Sequence, residues 1–383
     1  MSTDAAMPFT PADSAFMAEA IRLASKGLYS TMPNPRVGCV LVNNEVIVGS
    51  GWHQFAGEAH AEVNAIASAG DKARGATAYL TLEPCNFVGR TGACVDALQA
   101  AGIARVVSAM DDPNPLVAGK GHAALRATGI EVTVGLMAGE AAALNPGFIK
   151  RMEQGLPYVR CKMAASLDGR AAMASGESQW ITGPAARHQV QLMRARSCAI
   201  VTGVGTIIKD NPQLTIREAE FGGPVQRQPA LVITDSDLRL PLDSKVLGKV
   251  HLSQRQVIIA CVEGVDAARK QALLNKGVEI IVLAKASLTP RRAVDLTQLL
   301  GALAEREFNE VLLESGPVLA GSFINEKQVD ELQLFVAPKL MGATAMPVFG
   351  LQFEQMQEAV ALTIGDVKAV GRDWLFTCLF NNE

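Results

Sequence analysis

The chain has 383 residues, 49% of them hydrophobic, which suits two domains with their own cores and argues against disorder. Its 35 basic and 38 acidic side chains leave a net charge of −3, which argues against a nucleic-acid partner held on a broad cationic face. Residues 1–13 lack the basic start and apolar core of a signal peptide, and no run approaches about 18 uninterrupted apolar residues, so neither export nor a membrane span is expected. The seven scattered cysteines then read as reduced thiols of a cytoplasmic protein, with metal ligation open to any that cluster with histidine.

In chain order, Phe16, Ala20, Ile21 and Ala24 recur at helical spacing, so residues 11–27 predict an opening helix closed at Gly27. The apolar runs 37–42 and 46–51 flank Asn43-Asn44-Glu45 as a hairpin. Residues 60–69 predict a helix closed by Gly70, 76–82 a strand, 94–101 a helix closed by Gly102, and 104–109 a strand. A further helix–strand pair follows at 120–128 and 131–134. This alternation predicts an α/β unit with a mostly parallel sheet. Segment 145–157, with two prolines and two glycines, is the best boundary, giving domains at 12–148 and 157–383. Beyond it, strands at 159–163, 199–204, 230–233, 256–261, 278–283, 310–313 and 331–336 alternate with helices such as 185–196, 296–306 and 318–325, a second α/β domain.

Three features of the first half converge on a metal. His60-Ala61-Glu62 opens a helix, Pro84-Cys85 ends a strand, and Cys94 opens the next helix. One imidazole and two thiolates are three ligands of a catalytic zinc that keeps its fourth position for water. Helix starts favour a thiolate. Glu62 is placed to take the water's proton and pass it to the ring nitrogen and the leaving ammonia. The pattern is that of zinc deaminases, H-x-E followed by P-C-x-x-C, except that eight residues separate Cys85 from Cys94. A structural zinc, or two buried cysteines without metal, are the plainer readings. A closed site needs a fourth ligand, and the one nearby candidate, Cys39, lies mid-strand.

The neighbouring motifs carry a resemblance. Pro33-Asn34-Pro35-Arg36-Val37-Gly38, Gly51-Trp52-His53, Gly89-Arg90-Thr91 and Asp112-Pro113-Asn114-Pro115 surround the metal residues. Lys162-Met163-Ala164-Ala165-Ser166-Leu167-Asp168-Gly169, the Gly176–Gly183 run and Asp210-Asn211-Pro212-Gln213-Leu214-Thr215-Ile216-Arg217 follow. From about residue 12 onward the chain resembles the bifunctional deaminase–reductases of riboflavin biosynthesis. The resemblance implies a cytidine-deaminase-like three-layer domain followed by a dihydrofolate-reductase-like domain. It implies hydrolysis of the 2-amino group of a diaminopyrimidinone carrying a phosphoribosylamino group, then NADPH-dependent reduction of the ribose to a ribityl chain. Carried over by motif, His60, Cys85 and Cys94 hold zinc, Glu62 shuttles the proton, and Asn34, His53, Arg90, Asp112 and Asn114 contact substrate. His53 and Arg90 are apt for a phosphate, Asn34 and Asp112 for ring edges. Where the family has Ser-His after its first cysteine and two prolines before its second, this chain has Asn86-Phe87 and a proline-free loop, which implies altered affinity.

In the second domain no G-x-G-x-x-G follows a strand, so a Rossmann site is unsupported. Glu314-Ser315-Gly316-Pro317 instead leads from a strand into a helix whose N-terminus suits phosphate, and Thr202-Gly203-Val204-Gly205-Thr206 is a second such turn. The resemblance places Ala164, Trp180, Thr206, Asp210, Ser236 and Gly316 on NADPH, and Ser178, Arg194, Leu214, Arg217 and Glu314 on substrate. Arg194 and Arg217 are apt for its phosphate. Trp180 taken alone is more often a core aromatic. His122, His188 and His251 read as surface or satisfied histidines, and Cys161, Cys198, Cys261 and Cys378 as small core residues. The partner is then a phosphorylated pyrimidine, with no nucleic acid or membrane and with a homodimer implied. The competing readings are a base-editing tRNA deaminase, which predicts P-C-x-x-C and a basic groove, and a reductase with an inactive first domain. Retention of Glu62, unnecessary for binding metal, counts against the latter.

Overall fold

Residues 38–52 form the hairpin that Asn43-Asn44-Glu45 predicts. Strand β1 (Gly38–Asn43) pairs antiparallel with β2 (Val46–Trp52), and Asn44 and Glu45 both take the positive φ that so tight a reversal requires. The computed structural model describes residues 9–87, 92–248, 254–287 and 292–381, which divide into two compact units, Met1–Gly155 and Leu156–Glu383.

In the first unit, β3 (Thr77–Leu80), β4 (Arg105–Ser108) and β5 (Glu131–Val134) complete a sheet ordered β2-β1-β3-β4-β5. The sheet is mostly parallel as expected, with β1 the one reversed strand, antiparallel to both β2 and β3, while β3, β4 and β5 are parallel. A two-residue hairpin must reverse the chain, whereas the helices Cys94–Ala100 and Lys120–Ala127 carry it back to the same edge. Period-2 alternation along β1 sends Val40 and Val42 to the face covered by the helix Pro11–Ala24, through Met17, Ala20 and Leu23. Cys39 and Leu41 go to the other face, where Ala61, Ala65, Val95 and Leu98 of two helices pack. The result is three layers. A Cβ at Gly51 would lie 2.5 Å from the Ala61 carbonyl oxygen, so glycine lets β2 press against the helix start that carries His60.

The Pro11–Ala24 helix is tied to the sheet by Asp13, buried at 3% exposure. Its carboxylate accepts from the Thr10 N–H at 2.8 Å, the Tyr79 hydroxyl at 2.7 Å and the Arg105 guanidinium at 2.8 Å. Burial alone would raise this carboxyl, but the Arg105 and Thr10 bonds outweigh it and hold the group far below the ordinary range. A depressed folded value means that the contribution is present above the unfolded pKa, near 3.9, and is lost as pH falls through the folded value. Asp13→Asn is expected to cost about 3 kcal/mol at pH 7. In thermal unfolding at stepped pH, the variant should lose less melting temperature than wild type between neutrality and acid. Equal slopes would remove Asp13 from the acid response.

The second unit is built on β6 (Tyr158–Ser166), β8 (Ala199–Gly203), β9 (Ala230–Thr234), β10 (Val257–Val262), β11 (Glu279–Leu283), β12 (Glu310–Leu313) and β13 (Glu331–Ala337). These seven run parallel, and β16 (Asp373–Phe380) and β15 (Leu362–Val370) add antiparallel strands, in the order β11-β10-β9-β8-β12-β6-β13-β16-β15. A short ribbon of β7 (Arg170–Ala172) and β14 (Met346–Pro347) stands apart. The seven expected strands are all present. The β15–β16 hairpin and the ribbon were not expected. A register shift between Ile364 and Asp366 breaks the alternation of β15, and the ribbon strands are too short to show a period. Alternate residues of the central strands divide between two cores, Val201 and Val232 with Leu299 and Phe323 on one face, Ile200 and Leu231 with Leu240 and Leu273 on the other. Cys161, Cys198, Cys261 and Cys378 are buried, as expected.

Segment 145–157 is itself mostly helical: Pro146 opens the helix Pro146–Gln154 and left-handed Gly155 closes it. No helix among the described residues is long and apolar enough to cross a membrane.

Candidate active sites

His60 is the N-cap of the helix Ala61–Ala69, and Cys94 is the first residue of Cys94–Ala100, so each helix start points a donor at the same place. Cys85 follows β3 and Pro84. The His60 Nδ1 lies 3.2 Å from Cys94 Sγ and 3.7 Å from Cys85 Sγ. Donors on a tetrahedral zinc stand about 3.5–3.8 Å apart, so the three residues fit the ion. Cys39 is not one of the donors; it is fully buried in β1, where burial pushes its thiol up. The Cys94 thiol beside Cys85 holds the Cys85 thiol low, and the Cys94 N–H donates to the same sulfur. Glu62, the second residue of the helix, is 3% exposed, and burial raises its carboxyl. Among the described residues its Oε2 has no hydrogen-bond partner, as expected of a group that works on something not belonging to the chain.

The His53 ring stands 5.2 Å from that of His60 and is bonded to Asn34, and Asp112 is bonded to Asn114; Arg90 lies outside the described residues, as does His251. His53 is buried and engages both ring nitrogens within the protein. Its Nδ1 is 3.2 Å from the Ala59 carbonyl and its Nε2 3.0 Å from Asn34 Nδ2. The carbonyl can only accept, so Nδ1 carries the proton and Nε2 accepts from the Asn34 amide. Burial lowers the His53 pKa further. Both ring nitrogens are thus engaged within the protein, an arrangement that suits orienting the Asn34 carboxamide better than the expected phosphate contact. Asp112, 8% exposed, is pushed up to about 7 by burial, and its Oδ1 accepts from the Asn114 N–H.

In the second unit the expected cofactor residues collect where parallel strands end. Ala164 is near the end of β6, Thr206 and Asp210 lie on the helix Val204–Asp210 after β8, Ser236 follows β9, and Gly316 caps the helix Pro317–Asn325 after β12. Carboxyl ends of a parallel sheet are the usual ligand crevice. A Cβ at Gly205 or Gly316 would meet nothing within 4 Å, so open space lies over both turns, which suits a phosphorylated cofactor. Trp180 is 59% exposed and so not a core aromatic. Arg187 stacks over its ring at 4.6 Å, and Lys339 Nζ donates to its carbonyl.

The two arginines divide. Arg194 is buried and bidentate to Glu314, at 2.7 and 2.9 Å, with a third N–H on the Thr215 carbonyl. Arg217 is exposed and paired with Glu220 at 2.7 Å, and its backbone N–H is held by Gln191. Arg194 spends three of its five N–H groups on protein, whereas Arg217 meets only the exposed Glu220 carboxylate, which makes Arg217 the readier of the two for the substrate phosphate. The Leu214 side chain packs in a core cluster and its carbonyl accepts from Arg255, which leaves its backbone N–H for any ligand contact. Ser178 is partly exposed in the loop before Trp180.

Family models match both halves. Residues 10–110 match the cytidine and deoxycytidylate deaminase zinc-binding region, and residues 157–376 match the RibD C-terminal domain. Riboflavin biosynthesis protein RibD of Escherichia coli is 44% identical over 94% of this chain and 97% of its own. RibD of Haemophilus influenzae is 43% identical over 96% and 97%. The chain belongs to the RibD family. A solved Acinetobacter baumannii RibD superposes with TM-score 0.87 at 42% identity, covering 97% of this chain and 99% of that one. A diaminohydroxyphosphoribosylaminopyrimidine deaminase/5-amino-6-(5-phosphoribosylamino)uracil reductase from Thermotoga maritima gives 0.82 at 32%, covering 96% and 99%.

As a RibD protein the chain is a bifunctional enzyme of riboflavin biosynthesis, a zinc-dependent deaminase joined to an NADPH-dependent reductase acting on a small-molecule substrate. Neither the tRNA deaminase nor the reductase with an inactive first domain is favoured by RibD relatives that match over nearly the whole chain. Some residues that shape the two sites escaped sequence reasoning. Lys162, inside the quoted motif, is half-buried near Glu314, and its desolvation lowers its ammonium. Asp168 of the same motif accepts from the Met341 and Gly342 N–H groups and pins that loop beside β6. Their signal was motif membership without an assigned task.

Proposed function

We propose that the first unit hydrolyses the 2-amino group of a diaminopyrimidinone bearing a phosphoribosylamino substituent, and that the second reduces the opened ribose at C1 to a ribityl chain. The observation that carries this reading is the convergence of His60, Cys85 and Cys94 with a Glu62 carboxylate oxygen that has no partner among the described residues. A zinc ion held by the three donors supplies Lewis acidity toward water near neutral pH. Glu62 takes one proton of the attacking water and gives it to the ring nitrogen as oxygen adds to C2, then carries the remaining hydroxyl proton to the amino group as the C–N bond breaks, the carbonyl forms and ammonia leaves. Asn34, oriented by His53, reads the ring edge, Asp112 and Asn114 contact the substrate from the opposite loop, and Arg90 takes the phosphate.

In the second unit NADPH supplies the hydride, and the chain orients the two reactants. Ala164, Trp180, Thr206, Asp210, Ser236 and the Gly316 turn line the cofactor. Arg217 exchanges Glu220 for the substrate phosphate, Arg194 holds Glu314 ionised and aimed, and Ser178 and the Leu214 backbone complete the pocket. Burial would raise the Glu314 carboxyl, but Arg194 outweighs it and leaves it low.

Metal analysis should find about one zinc per chain, and Cys94→Ser should lose it. Wild type should release ammonia from the diaminopyrimidinone and oxidise NADPH with the deaminated product, followed by loss of cofactor absorbance. No ammonia removes the first assignment, and no NADPH oxidation the second.

The reading includes a cytoplasmic homodimer formed through the second unit and no nucleic-acid partner. The apolar face of β15 and β16 supports the dimer, since Ile364, Val367 and Trp374 stand 60%, 42% and 51% exposed at the edge of the sheet. Light scattering should give twice the chain mass, and Ile364→Lys with Trp374→Glu should halve it. A wild-type monomer would end the dimer reading.

A further inference from the structure

Glu83 lies outside every residue assigned above, and its side chain is fully buried. It follows β3 and precedes Pro84-Cys85, and it does not face the three metal donors. Its Oε2 accepts from the N–H groups of Asp112 at 3.0 Å and Gly119 at 2.8 Å, and its Oε1 from those of Gly121 at 2.9 Å and His122 at 3.2 Å. The Glu83 N–H in turn donates to the Met110 carbonyl. A carboxylate has about four acceptor sites, and here all four are spent on one segment, 112–122. Glu83, Asp111 and His122 lie close enough to suggest a second metal group, but the saturated oxygens leave Glu83 nothing to offer an ion. The His122 Nδ1 is bonded instead to Asp111 at 2.9 Å.

The clamped segment is the one that carries Asp112 and Asn114. Within it the Asp112 carboxylate accepts the Asn114 N–H and the Asn114 carbonyl oxygen Oδ1 accepts the Leu116 N–H, so the chain of bonds starts at Glu83 and ends at both candidate substrate contacts. Gly121 makes the approach possible, because a Cβ there would lie 2.1 Å from the Pro84 carbonyl oxygen. Two residues before a metal ligand, the chain therefore grips a loop far along in sequence and sets it against the metal group.

We infer that Glu83 is a positioning residue of the deaminase: through four backbone N–H groups it holds Asp112 and Asn114 at the distance from Cys85 that the pyrimidine requires. This rests on the deaminase reading above, in which Asp112 and Asn114 face substrate. A residue acting this way governs substrate affinity more than the proton transfers made by Glu62.

The test uses the full-length zinc-loaded enzyme and the variant Glu83→Gln, which keeps the volume and one acceptor oxygen but turns an amide N–H₂ toward two backbone donors. The KM for ammonia release should rise about tenfold or more, with kcat changed less than about threefold. Zinc content and NADPH oxidation should be unchanged, and amide exchange should quicken at Asp112, Gly119, Gly121 and His122. In an Asp112→Ala background the same substitution should add almost nothing to KM, because the residue it acts through is gone. An unchanged KM in Glu83→Gln, or effects that simply multiply in the double variant, overturns the inference. So does loss of zinc or of the folded first unit, which is the result of a purely structural role. A wild type that releases no ammonia sinks the deaminase reading and this inference together, whereas an active wild type with an insensitive KM sinks the inference alone.

Discussion

Glu62→Gln should retain one zinc per chain yet release ammonia roughly 10²–10⁴-fold more slowly, the range lost when a positioned general acid–base is removed. The carboxamide has nearly the same volume in a site that is 3% exposed, so packing is preserved. It cannot accept the water's proton or hand it on, and that is the whole of the change. Glu62 opens no bond to the helix that a glutamine would break through Oε2, because that oxygen has no partner among the described residues. NADPH oxidation by the same preparation is the internal control, since it depends on residues of the other unit. Full ammonia release by the variant would show that another group moves the protons.

Arg194 and Arg217, which sequence treats alike, should part company on substitution. Arg194→Met strands the Glu314 carboxylate in a buried site and should cost roughly 3–5 kcal/mol of stability along with reductase activity. Arg217→Ala breaks an exposed pair with Glu220 and should leave stability within about 0.5 kcal/mol. Its loss shows instead as a KM for the phosphorylated substrate raised about 10–100-fold, the worth of a charge-assisted contact. Thermal unfolding and NADPH-oxidation kinetics on both variants decide it. If Arg194→Met melts like wild type and only KM moves, the phosphate role belongs to Arg194.

The same contrast shows what could be read in advance. The donors His60, Cys85 and Cys94 were legible because each stands next to a local signal, a helix start or a strand end, and local signals follow from nearby residue types. Their fit around an ion, with Cys39 left aside, depends on β1 and β3 pairing antiparallel, and a hairpin signal gives only half of that pairing. His53 looked like a loop cation suited to phosphate. It became a neutral orienter only when folding set Asn34 and the Ala59 carbonyl on its two nitrogens. Glu83 gave no signal, because what it binds is main chain, and every residue type carries the same N–H.

By itself, then, the order of residues determined the two α/β units, the His60, Cys85 and Cys94 group whose donors fit a metal, the parallel strands of the second sheet and the membership in a deaminase–reductase family. Those depend on periodicity and on side-chain chemistry, which are properties of short segments. Tertiary structure alone decided which arginine is committed to Glu314, which histidine is uncharged, and which carboxylate spends its lone pairs on a distant loop. A buried polar group takes its state from whatever the fold sets within about 3 Å of it, and for Arg194 and Glu314 that neighbour is 120 residues away along the chain.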